Sequence, residues 1–179
     1  MSFIHGLPAR LSGGLLLLLG GALTLCGQSN GYLKTSVNPG RAGVFIDGKY
    51  VGPAANFKIA RKYAVPAGSH EVKLVDPRFE EYSTKVTIEA GKTAKLSQTL
   101  KPITLDKPPF GRIRTIHPDK FAAVYVNDKF YGHADEFNNP WQAILIKPGE
   151  YDVRIEPTSG GSPVTQHVKV EADKVTTVK

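Results

Sequence analysis

The chain has 179 residues, 41% of them hydrophobic and 22% charged, and 23 Lys and Arg against 16 Asp and Glu give it a formal charge of +7. This is ordinary globular composition and excludes a wholly disordered or low-complexity chain. A basic balance would suit nucleic acid, but here single Lys and Arg residues are scattered between strands rather than gathered in runs, so they read as solvated surface and point to no nucleic-acid partner.

Residues 1–30 differ in character from the rest of the chain. Residues 11–25, "LSGGLLLLLGGALTL", are apolar, follow Arg10 and precede small and polar residues. A membrane span needs about 20 residues, so this shorter run suits the apolar core of a secretory or lipoprotein signal, with an uncleaved anchor helix as the alternative. Cys26, the only cysteine, ends the run, so no intramolecular disulfide is possible. In "LTLCGQ" it resembles the lipidated cysteine of a bacterial lipoprotein signal, although Leu25 stands where such signals usually carry Gly, Ala or Ser. Lipidation at Cys26 and ordinary cleavage nearby both stay open. Either way the chain is expected to be exported, to the periplasm, the outer surface or a membrane-anchored position.

After the signal the chain alternates apolar and polar residues between Gly, Pro, Asp and Asn. "LKTSV", "GVFI", "KYVG", "KYAVP", "HEVKLV", "TKVTIEA" and "TAKLSQTL" are predicted strands, and no helical period competes with them. In "VFIDGKYVG", residues 44–52, two short strands flank Asp47-Gly48, the strongest short-range signal for a two-residue type I′ turn. Eighty positions later "VYVNDKFYG", residues 124–132, repeats the figure with Asn127-Asp128 at its centre. Both centres need positive φ, which Gly accepts freely and Asn or Asp better than other side chains, so the second turn is expected to be the more strained. The predicted hairpin pairs Ile46 with Lys49, Phe45 with Tyr50 and Val44 with Val51, which puts Phe45 and Tyr50 on one face and the aliphatic residues on the other. Tyr125 and Phe130 repeat the aromatic pair.

The repeat runs on beyond the hairpin. "LKT" at 33–35 matches "IRT" at 113–115 and Phe57 matches Phe137; after one inserted residue "VPAGSHEVKL" at 65–74 matches "IKPGEYDVRI" at 146–155, and "VTIEAGKTAKL" at 86–96 matches "VKVEADKVTTV" at 168–178. Asp47, Gly48, Gly52 and Gly68, with Asn127, Asp128, Gly132 and Gly149, are the expected turn residues. The fold class is therefore all-β, with two small antiparallel β-sandwiches in tandem over residues 32–103 and 112–179. Units of this size have marginal cores, so their stacking is expected. Between them "KPITLDKPPFG" contains Pro102, Pro108 and Pro109, and residues 104–111 are read as a semi-rigid linker with the boundary near Pro108.

The order V-x-V/I-D-G-x-x-x-G, then an Ala/Asp-rich segment with Phe, then "PAG" or "PG" before H/Y-x-V, and a final V-x-I-x-A-G-x-T, resembles the PEGA domain. The resemblance covers residues 33–100 and 112–179, and the four-letter motif of the family name is replaced by "VPAGSH" and "IKPGEY", which keep the turn glycine. It implies a small β-sandwich module of exported, surface or membrane-attached proteins, without catalytic residues and with a role in interaction or envelope architecture.

The residues themselves offer little chemistry. Ser69 and His70 are strand neighbours that would point to opposite faces, no G-x-S-x-G elbow or phosphate loop is present, and no enzyme activity or cofactor is expected. His70, His117, His133 and His167 do not recur between the copies and are expected to be exposed or singly hydrogen-bonded, so no metal site is expected; turn chemistry accounts for Asp47 and Asp128. The aromatic pairs are the stronger candidates. If the aliphatic face is core, Phe45, Tyr50, Tyr125 and Phe130 lie outside as platforms for a sugar or a partner protein; the alternative is a second core layer. Trp141, in an Asn/Pro-rich loop near Phe137, is either a loop anchor or a recognition residue. The expected function is a non-catalytic envelope interaction or structural protein that binds an envelope protein or an anionic glycan, the alternative being a carbohydrate-binding module for peptidoglycan or surface glycan.

Overall fold

A computed structural model of the chain describes residues 29–58, 61–104 and 106–179. The apolar run at 11–25 and Cys26 lie outside these, and no helix among the described residues is long and apolar enough to cross a membrane. The first unit contains β1 (Asn30–Asn38), β2 (Gly43–Ile46), β3 (Lys49–Pro53), β4 (Tyr63–Pro66), β5 (Gly68–Val75), β6 (Tyr82–Ile88) and β7 (Thr93–Thr99). The second contains β8 (Gly111–Thr115), β9 (Ala123–Val126), β10 (Lys129–His133), β11 (Ile144–Ile146), β12 (Gly149–Glu156), β13 (Val164–Val170) and β14 (Val175–Val178). A 3₁₀ turn follows the first hairpin of each unit, at Ala54–Phe57 and Ala134–Phe137.

Each unit is a three-stranded sheet over a four-stranded one. The orders are β4-β1-β7 over β3-β2-β5-β6 in the first unit and β11-β8-β14 over β10-β9-β12-β13 in the second. Alternation explains the inward faces: in β2 and β5, Val44 pairs with Leu74 and Ile46 with Val72, and all four are buried. Their counterparts Val124, Ile155, Val126 and Val153 are buried in the second unit, as are Leu33 and Ile113 on the facing sheets. Each such fully buried aliphatic side chain stabilises its unit by roughly 1.5–3 kcal/mol relative to exposure. Thr35 and Thr115, also buried, satisfy their hydroxyls by donating to the carbonyls of Ala54 at 2.6 Å and Ala134 at 2.9 Å, which ties each 3₁₀ turn to the first strand of its unit.

Three expectations are corrected. The sandwiches are not purely antiparallel: β1 pairs in parallel with β7, and β8 with β14. The turn after β6 carries the chain across to the other sheet, where β7 lies beside β1 in the same direction; alternation sets which face is buried but not strand direction. The third hairpin pair is Val44 with Gly52 rather than Val51, because a β-bulge inserts an extra residue there, and the same bulge precedes Gly132. Gly52 and Gly132 have φ of 132° and 152°, backbone that other residues rarely adopt, and the bulge leaves Val51 and Tyr131 packed on their cores. Finally, Gly111 belongs to β8 rather than the linker. Unit one also extends along its linker side: Ile103 N donates to Arg78 O and Glu80 N to Lys101 O, so residues 101–103 are fastened to the loop between β5 and β6.

Candidate functional site

The hairpin turns adopt the expected conformation, with φ of 49° and 80° at Asp47 and Gly48 and of 46° and 61° at Asn127 and Asp128. The side chains at 47 and 127 do more than tolerate positive φ. Asp47 Oδ1 accepts from Glu71 N at 2.9 Å and Asn127 Oδ1 from Asp152 N at 2.9 Å, so each turn is pinned to the next strand of its sheet. Gly68 has φ of 147°, whereas its counterpart Gly149 has no positive φ and only places its backbone against the Tyr151 ring.

The four hairpin aromatics do not form exposed platforms, and that expectation is corrected. The two hairpins meet face to face, and Tyr50 and Phe130 are buried with Val75 and Ala123 in a third apolar cluster that joins the units, with Phe45 and Tyr125 packed at its margin. Phe130 lies 5.2 Å from Phe45 in an edge-on contact, 5.1 Å from Tyr50 and 5.7 Å from Tyr125, centroid to centroid. Such geometry stabilises aromatic pairs by about 0.5–1.5 kcal/mol beyond the area they bury. The contact requires Gly43: a Cβ there would lie 2.5 Å from the Phe130 ring. The rings face outward from each sandwich, as alternation dictates, but the outward face of one unit is the inner face of the joint.

Beside this cluster is a group of charges. Asp76, 3% exposed, accepts from Arg41 Nε at 2.8 Å and from Arg78 Nε at 3.0 Å, and Arg78 Nη2 reaches across to Glu136 Oε1 at 2.8 Å. Burial pushes the Asp76 carboxyl up, but the hydrogen bonds from Arg78 and Arg41 outweigh it and hold the group below the ordinary carboxylate value. His133 lies 3.7 Å from Glu136, too far for a hydrogen bond, and burial lowers its pKa despite that carboxylate. No sequence pattern marked these residues, because only one copy carries each: the positions that match Arg41, Asp76 and Glu136 hold Phe121, Pro157 and Asn56. Departure from the repeat is the signal that would have found them.

The remaining candidates separate. His70 bonds through Nδ1 to Asp47 Oδ2 at 2.6 Å and through Nε2 to Pro66 O at 2.9 Å; the Asp47 hydrogen bond raises its pKa. His167 contacts Asp152 at 2.8 Å, and His117 Nδ1 accepts from Asp119 N at 3.1 Å. Among the described residues no three His, Cys, Asp or Glu side chains converge as a metal site would. Trp141 is not a loop anchor: Asn139 Oδ1 accepts from the backbone N of Trp141 and of Gln142 at 3.0 Å, and the indole itself is 91% exposed. Close to it in the chain, Leu145 is 57% exposed on β11, the edge of its sheet, and borders a cleft of about 570 Å³. The cleft lies between β11, the ring of Tyr131 and the connecting segment at Ile103 and Phe110.

No curated protein matches the chain. The model of the PEGA domain family matches residues 31–104, from β1 through β7 and into the connecting segment, so the first unit is a PEGA domain.

Proposed function

We propose that the chain is a non-catalytic interaction or structural protein of the cell envelope, built from two PEGA-type modules. The observation that carries this reading is the repetition of the PEGA strand order of residues 31–104 in β8 to β14, with the two units fastened by an apolar and ionic joint. A fastened pair presents its surfaces at a fixed spacing, which suits a scaffold, and the open cleft beside β11 supplies a place for a partner. Export directed by residues 1–30 would deliver the protein to the envelope, and lipidation of Cys26 would tether it there. The test is expression of the full chain with its native N-terminus, followed by fractionation, intact mass and in situ crosslinking. Recovery in the envelope fraction, crosslinked to another envelope component, is expected; a chain that stays cytosolic and uncrosslinked overturns the reading. Acyl mass on Cys26 distinguishes a tethered from a cleaved form.

Exposure of the Trp141 indole favours a second reading, in which the chain binds peptidoglycan or a surface glycan. Retention on purified cell-wall glycan at low salt, lost in Trp141→Ala, supports it. Absence of retention removes it.

A further inference from the structure

The backbone of β11 is set up to accept another strand. Arg112 N donates to Lys174 O at 2.9 Å and Ile116 N to Val178 O at 2.9 Å, so the even-numbered residues of β8 direct their backbone groups toward β14. Gly111 and Ile113 therefore face β11, where their partners in register are Ile146 and Ile144. Leu145, between them, directs its N–H and C=O away from β8, along the free edge of the sheet. In the first unit the same parity turns Ala64 and Pro66 of β4 outward, and Pro66 has no N–H to offer, a common way of blunting an edge. The position that matches Pro66 is Lys147. The edge of β11 is thus open where that of β4 is blunted.

This open edge also borders a cleft. Residues 142–147 line the cleft continuously, together with Ile103 and Phe110. Two lining cations, Lys129 and Lys147, have no carboxylate within ion-pair distance among the described residues, while Arg78 is matched by Asp76 and Glu136, and Asp106 is the acid of the lining. Lys147 donates to the Lys107 carbonyl and lies over the Phe110 ring, and Lys129 lies over Tyr131, so neither positive charge is neutralised, and such an apolar cleft favours an occupant that is apolar and carries carboxylates. A second copy of this chain, at +7, is disfavoured by the same charge.

We propose that an extended segment of a partner protein, apolar at alternate residues and flanked by carboxylates, adds to β11 as a new edge strand. Its backbone pairs with the N–H and C=O of Leu145, its alternate side chains enter the cleft, and its acids meet Lys129 and Lys147. The proposal rests on the reading of the chain as an interaction protein and names its partner class and site.

Fluorescence anisotropy with the full chain tests it, using labelled peptides EVTVTVE and KVTVTVK as probes. The acidic peptide is expected to bind at least about tenfold more tightly than the basic one. Leu145→Pro removes the outward N–H while leaving the β8 ladder intact, and weakens the acidic peptide by at least about tenfold, whereas Leu145→Val does not. Far-UV circular dichroism and the thermal midpoint establish that Leu145→Pro is folded; if it is not, the double variant Lys129→Glu, Lys147→Glu replaces it and is expected to reverse the preference between the peptides. Absence of binding by the acidic peptide, equal binding of both peptides, or binding unchanged by the variants overturns the site. If the site fails in this way but envelope crosslinking of the parent chain persists, the interaction reading stands without it. If the parent chain crosslinks to nothing, that reading itself fails.

Discussion

The two units share a core and differ where they touch. Leu33 and Ile113, Val44 and Val124, Leu74 and Ile155 are interchangeable occupants of the same buried positions. Across the joint the matched positions diverge: Gly43 corresponds to Ala123, Val75 to Glu156, Asp76 to Pro157. A sandwich interior accepts any aliphatic side chain of suitable volume, so the copies can drift and still match. A joint between two copies of one surface is different, because a ring on one side requires space on the other. Phe130 has that space only because residue 43 lacks a Cβ. Divergence between repeats therefore marks the surface where they were fitted to each other.

The largest expected effect comes from emptying the joint. Phe130→Ala should cost about 3 kcal/mol, the usual scale for a buried phenylalanine. Chemical denaturation checks this, and separation of one transition into two would show that the units unfold independently once the ring is gone. A loss no larger than that for a surface substitution would mean that the units are not coupled through this ring.

The charged part of the joint comes next. Asp76→Asn leaves Arg41 and Arg78 beside a neutral group and should cost about 2 kcal/mol, below the full cost of breaking a buried pair because Arg78 is one-third exposed, at 34%. The same measurement checks it, and the loss should shrink when Arg78 is already Ala. Full additivity of the two substitutions would deny their coupling.

At the turns the copies should differ only by the His70 bond that Asp47 makes and Asn127 does not. Asp47→Ala and Asn127→Ala each place a Cβ-bearing residue without a pinning side chain at φ near 45–50°, and each should cost about 1 kcal/mol. A larger loss for Asn127→Ala than for Asp47→Ala, which also removes the His70 partner, would break the equivalence of the hairpins.

The smallest effects separate the regions by pH. His70 has its pKa raised by Asp47, so its contribution to the first unit is complete below about 6.5 and is lost as pH rises through the higher folded value. Asp47, lowered by the same bond, contributes fully above about 3.8 and loses that contribution as pH falls through its lower folded value. His133 has the sign opposite to that of His70. Burial lowers its pKa, so the second unit is at full strength above about 6.5 and weakens as pH falls below that value. Thermal midpoints across the neutral range should lose their alkaline decline in His70→Gln and their acid decline in His133→Gln. An unchanged profile in either variant removes the assigned group.

The strands, their inward faces and both positive-φ turns were legible in residue alternation and in Asp47-Gly48 and Asn127-Asp128, because period-two burial and turn conformation are local properties. The outward direction of Phe45, Tyr50, Tyr125 and Phe130 was legible for the same reason. That Tyr50 and Phe130 are nevertheless buried was decided by docking the two hairpins, a contact between residues 80 apart that no local pattern encodes. The parallel pairing of β1 with β7 and of β8 with β14, the assembly of Arg41, Asp76, Arg78 and Glu136, and the unblunted edge at Leu145 were likewise tertiary decisions. Each depends on which surfaces face each other once the chain has closed. Alternation records only which side of a strand is apolar, and the fold determines whether that side meets water, its own sandwich or its neighbour.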